Sequence, residues 1–133
     1  MRQAGLAPWE IRPDRPCLDF AAERAFAAEL LRREDRPTAM LCYFSIFVPA
    51  LVHAACELGV KIPRDLSIIT FAPENYREQA LMVSAMIEPH YVMGQQAVRA
   101  LCDKIERPTK YPSVRELDFG WCDMGTCVEP PAK

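Results

Sequence analysis

The stretch 36–71, RPTAMLCYFSIFVPALVHAACELGVKIPRDLSIITF, constrains the fold more than any other part of the chain. Residues 38–43 are an apolar run of strand length, and residues 66–71 are a second one, rich in β-branched side chains. Between them, residues 46–58 are apolar enough at helical spacing, and long enough, for a helix. Ser45 is placed to cap it, Pro49 falls in its first turns and Gly59 stops it. Two apolar strands joined by a helix make a βαβ unit, which requires a parallel sheet with helices on both faces. The predicted fold class is α/β.

Other elements arrange around this unit. Asp19 is placed to cap a helix that runs to about Arg33, with Glu23 in its first turn and Ala22, Phe26, Ala27, Leu30 and Leu31 on one face. Residues 80–87 form a third apolar run of strand length. Pro89 opens a helix in which Met93, Ala97, Val98, Leu101 and Ile105 recur at helical spacing, and Arg107 and Pro108 end it. Gly94 within it costs about 1 kcal/mol relative to Ala, which points to close packing against a neighbour. Residues 114–119 are a candidate last strand and residues 9–12 a candidate short one, giving up to five strands. Residues 1–6 read as the end of a helix, and the final GTCVEPPAK reads as irregular, partly mobile chain.

Composition excludes several functions. A net charge of -2 over 133 residues gives no electrostatic reason to expect direct nucleic-acid binding, and the local Arg32, Arg33 and Arg36 have Glu34 and Asp35 among them. No run approaches the ~18 apolar residues of a membrane span, and the N-terminal stretch has no signal-peptide core. None of the six cysteines forms a CxxC pair or has a histidine at metal-ligand spacing, so no metal site is expected. Cys42, Cys56 and Cys102 are expected in the core as small hydrophobes, and reduced cysteines fit a cytoplasmic protein. Cys122 and Cys127 are the one nearby pair, free or linked. There is no Gly-rich phosphate loop, nucleophile elbow, convergent Cys/His set or carboxylate pair, so neither catalytic residues nor a cofactor are expected. Ligands of open parallel sheets bind at the carboxyl ends of the strands, here residues 43–45 and 71–74.

Several motifs fall in order along the chain: R-P-T-A at residues 36–39, E-L-G-V at 57–60, P-R-D-L-S at 63–67 and I-I-T-F at 68–71. VSAMIEPHYVMGQQAVRALCDKI follows at residues 83–105, and Gly125-Thr126 with Pro130-Pro131 closes the series. In these features the chain resembles the effector-binding domain of LacI/GalR-type bacterial transcription regulators. The resemblance implies a periplasmic-binding-protein-like fold of two α/β subdomains around a cleft, of which this chain covers the C-terminal part. Residues 1–88 would be the C-terminal subdomain without its first strand and helix. Residues 89–133 would be a crossover helix and tail, packing partly on the N-terminal subdomain, and that helix would be exposed or swapped without it. Operator DNA would be read only by a helix-turn-helix domain lying outside this chain.

The resemblance also implies site residues. Phe20 matches the aromatic that stacks on the effector, and Phe44 and Ser45 stand where an Asn-Asp pair is common. The motif after the second strand reads Thr70-Phe71-Ala72-Pro73 in place of one ending in two carboxylates, so Ala72 replaces an acceptor and Glu74 follows late. Glu88 falls where a Gln often stands, and His90 lies near the crossover. Phe44 and Ala72 cannot accept a polyol's hydroxyls, so the expected small-molecule effector is flatter and more apolar or aromatic, or effector binding is lost. The helix from Ile46 and the loop at 76–81 match the family's subunit interface, making Phe47, His53 and Met82 candidates for a homodimer contact. A solute-binding protein of a transport system, with the same fold, is the alternative reading, and an enzyme is the third.

Overall fold

The computed structural model describes residues 10–13, 19–76, 83–108 and 116–129. Among them the elements run α1 (Phe20–Arg32), β1 (Ala39–Cys42), a 3-10 turn (Ser45–Phe47), α2 (Val48–Glu57), β2 (Ser67–Pro73), β3 (Ser84–Glu88), α3 (His90–Glu106) and β4 (Gly120–Cys122). The sheet order is β1-β2-β3-β4, with the first three strands parallel and β4 antiparallel to β3. The expected α/β class and its βαβ unit are what the chain forms, but among the described residues helices pack on one face of the sheet and not on both, because α3 buries no residue against it.

Local chemistry explains each boundary. The Asp19 carboxylate accepts from the Ala22 N–H at 2.8 Å and caps α1. The central helix departs from the expected single element beginning at Ile46. Pro49 has no N–H to bond the Ser45 carbonyl, so Val48 N–H takes that carbonyl and a 3-10 turn precedes α2. Ser45 therefore enters the turn, and its side chain caps nothing. Gly59, at φ +69, reverses the chain after α2, and Val60 N–H bonds back to the Ala55 carbonyl. In the turn before β2 the Asp65 carboxylate takes the Lys61 N–H at 3.0 Å, while Arg36 binds the Asp65 carbonyl.

The strand register sorts the sheet into two faces. Met40, Cys42, Ile68, Thr70, Ala72, Ala85 and Cys122 share one, since Met40 pairs with Ile68, Cys42 with Thr70, Thr70 with Ala85 and Ala85 with Cys122. Against this face α1 and α2 bring Ala27, Ala28, Leu31, Val48, Leu51, Ala54 and Ala55, forming the main core with Leu66 and Val83. Buried Thr70 stays satisfied by donating its hydroxyl to the Cys42 carbonyl at 2.9 Å. Leu41, Ile69, Phe71, Met86 and Trp121 share the opposite face, where Leu41 and Trp121 remain 57% and 54% exposed.

Two expectations about the last part of the chain change. The final strand is Gly120–Cys122, whereas residues 116–119 are not strand. Its register sets Gly120 against Ile87, where a Cβ would come within 3.3 Å of the Ile87 Cβ. Residues 123–129 are also tied down. Ile68 N–H donates to the Thr126 carbonyl, the Thr126 hydroxyl donates to the Ile68 carbonyl at 2.8 Å, and Ser84 N–H donates to that hydroxyl at 2.8 Å. The tail thus fills the place beside β2 that β3, starting later, leaves empty. Residues 10–12 form no strand, while residues 1–9, Cys17 and Met82 lie outside the described residues.

The cysteines divide differently from the expectation. Cys42 and Cys122 are buried, whereas Cys56 and Cys102 face solvent because they sit on the outer sides of α2 and α3. Cys122 and Cys127 are both free. None of the residues of α3 is buried, and among the described residues nothing beyond the helix's own adjoining backbone lies within 4 Å of where a Cβ on Gly94 would be. The close neighbour that this glycine suggests is not supplied by the described residues.

Candidate functional site

The carboxyl ends of the parallel strands collect an uncovered row of aromatic rings. Tyr43 follows β1 and meets Phe44 edge-on at 4.8 Å and Phe71 at 5.8 Å, and Phe71 meets Phe119 edge-on at 6.0 Å. Such edge contacts are a favoured arrangement of ring quadrupoles. Tyr43 and Phe44 are 70% and 67% exposed. Because Phe71 belongs to the face away from α1 and α2, the row extends the open face of the sheet, with Leu41, Met86 and Trp121 beneath it.

Polar groups stand at the same edge. Glu88 ends β3 beside Pro73, and its Oε2 lies 3.2 Å from His90 Nε2. Glu74, just past β2, accepts from the Tyr91 N–H at 3.3 Å and so occupies a free donor of α3's first turn. Among the described residues no group of three or more His, Cys, Asp or Glu is placed to hold a metal.

Of the residues singled out from the sequence, Phe44, Glu74, Glu88 and His90 gather at this edge, and Ser45 begins the turn behind Phe44. Ala72 faces the other way. It is 1% exposed and packs with Tyr76 and Ala85, because β2 continues two residues past its expected end and turns Ala72 inward. Phe20 meets His53 edge-on at 6.0 Å, and Arg24 binds Glu57 one turn later. Phe20 thus lies against the side of α2, its ring contact being with His53 and not with the row of Tyr43, Phe44, Phe71 and Phe119. His53 also lies 3.6 Å from Glu57, and Phe47 is half-buried against Phe26. Phe119 was not visible as a site residue from the sequence, since its contact with Phe71 depends on where β4 begins.

Residues 1–125 match the periplasmic binding protein-like domain family. This chain belongs to that family. Among curated relatives, the HTH-type transcriptional repressor PurR of Pectobacterium carotovorum is 33% identical over 92 residues, covering 65% of this chain and 26% of the relative. The chain thus spans about a quarter of the length of that relative. A LacI family transcriptional regulator from Bifidobacterium animalis superposes with a TM-score of 0.69 at 20% identity, covering 84% of this chain and 41% of that one. A LacI family regulator from Enterococcus faecium, solved with bound ribose, gives 0.62 at 21% identity over 87% and 42% of the two chains. At these identities the structural likeness shows the fold, and the relatives are regulators, not enzymes.

Proposed function

We propose that this chain is the effector-sensing and dimerisation part of a LacI-type transcription regulator, working in the cytoplasm and without catalytic activity. The observation that carries this reading is the uncovered carboxyl edge. The scaffold of the periplasmic binding protein-like family leaves Tyr43, Phe44, Phe71, Glu74, Glu88 and His90 together at the place where parallel sheets take ligands. Residues 1–88 act as the ligand-facing subdomain, and residues 89–133 supply the helix and tail that meet a second subdomain.

The edge favours a flat, apolar or aromatic small molecule over a sugar. At Phe44 and Ala72 it has a ring and a methyl group where a polyol needs acceptors, and an unpaired buried hydroxyl costs roughly 1–3 kcal/mol. Half-exposed His53 on α2 supports a homodimer contact, with Phe47 offering only the part of its ring not packed on Phe26 and the core. Operator DNA is bound through a separate helix-turn-helix domain.

The coding sequence upstream of Met1 tests the regulatory reading: a helix-turn-helix segment supports it, and a secretion signal overturns it. Sedimentation velocity across micromolar concentrations tests the dimer. A monomer at every concentration removes dimerisation from the proposal.

A further inference from the structure

The charge at the carboxyl edge is one-sided. The four stretches that build it, residues 41–46, 70–76, 86–91 and 116–121, contain Glu74, Glu88, Glu116 and Asp118 and no Lys or Arg. Glu88 has the most telling position. It shares the open face with Met86, whose parallel neighbour is Phe71, so it stands two residues, roughly 7 Å, further along the strands from the aromatic row. Its ionic partner is His90, which offers a positive charge only when protonated. At the N-terminus of α3, which would attract an anion, the Tyr91 N–H is already occupied by Glu74.

We propose that this edge takes a planar aromatic cation, its ring system lying against exposed Tyr43 and Phe44 beside Phe71 and its positive charge directed at Glu88. The inference rests on the reading of this edge as the effector site. Ring faces attract a cation through their quadrupole, and a carboxylate one ring-length away fixes the orientation of a two-ring ligand. Charge complementarity selects this occupant over an aromatic anion, which meets carboxylates at this edge.

Isothermal titration of the 133-residue chain with N-methylquinolinium, naphthalene-2-sulfonate and ribose tests the proposal. The cation is expected to saturate, the sulfonate of similar shape to bind at least about tenfold more weakly, and Glu88→Gln to weaken the cation by about tenfold. Tyr43→Ala, at a site 70% exposed, should weaken the cation about threefold while leaving the fold intact. Sulfonate binding as tight as the cation's, or unchanged cation binding in Glu88→Gln, overturns the charge assignment. Ribose binding that Glu88→Gln abolishes, with none of the cation, also overturns it but leaves the effector site standing. Absence of saturable binding by the cation overturns the charge assignment.

Discussion

Replacing Thr126 by Val removes one hydroxyl and almost no volume, and it probes how firmly the tail seals the sheet. That hydroxyl accepts from the Ser84 N–H and donates to the Ile68 carbonyl, each at 2.8 Å, and both Ser84 and Ile68 are completely buried. In Thr126→Val the Ser84 N–H has no acceptor in a place without water, at a cost of roughly 1–3 kcal/mol. The Ile68 carbonyl keeps the Cys127 thiol at 3.2 Å, so its loss is the smaller one. Together these give a destabilisation of about 2 kcal/mol, or roughly 30-fold in the folding constant. Thr126→Ser keeps the hydroxyl and should lose under ~1 kcal/mol. Urea unfolding followed by circular dichroism should show the Val variant's midpoint lowered by about 1 M at unchanged slope. If the Val and Ser variants unfold within about 0.5 kcal/mol of each other, the tail is not sealing buried donors and the reasoning fails.

Two further outcomes follow from the same structure. Burial pushes the Cys42 thiol up to about 11, so iodoacetamide at pH 8 should label exposed Cys56 and Cys102 in the native chain and spare Cys42; peptide mass spectrometry reads this, and early Cys42 labelling would contradict its burial. The Arg64 side chain and the Lys61 N–H hold the Asp65 carboxyl down at about 2. A depressed folded-state pKa gives stability that is complete above the unfolded value near ~3.9 and is lost as pH falls toward 2. Asp65→Asn should therefore flatten the stability-against-pH curve between pH 4 and 2, and an unchanged slope in that window would refute the assignment.

The βαβ unit was legible because each part carries a strong and different period. β1 and β2 are short apolar runs, while α2 repeats its buried residues Leu51, Ala54 and Ala55 at helical spacing. What failed to show depended on a partner distant in the chain. Residues 114–119 are the candidate strand of the sequence, yet the strand is Gly120–Cys122, because the close approach to Ile87 is open only where Gly120 stands. The tail reads as loop because its order comes from single hydrogen bonds to Ile68 and Ser84, which leave no hydrophobic period. At the candidate site the same distinction holds. Phe44 and Glu74 follow from the rule that ligands meet strand ends, whereas the inward turn of Ala72 depends on β2 lasting through Pro73.

The bare helix α3 gives this chain two tiers of local stability. An isolated helix of 17 residues is marginal in water, and α3, with no buried residue, draws little from tertiary packing to raise it. α2 opens only when the core around Leu51 comes apart, so its amides exchange with solvent at the rate of global unfolding. α3 can fray while the sheet stays whole. Any surface that comes to cover Tyr91, Val98, Leu101 and Ile105 would therefore add its stability first to the least protected part of the molecule.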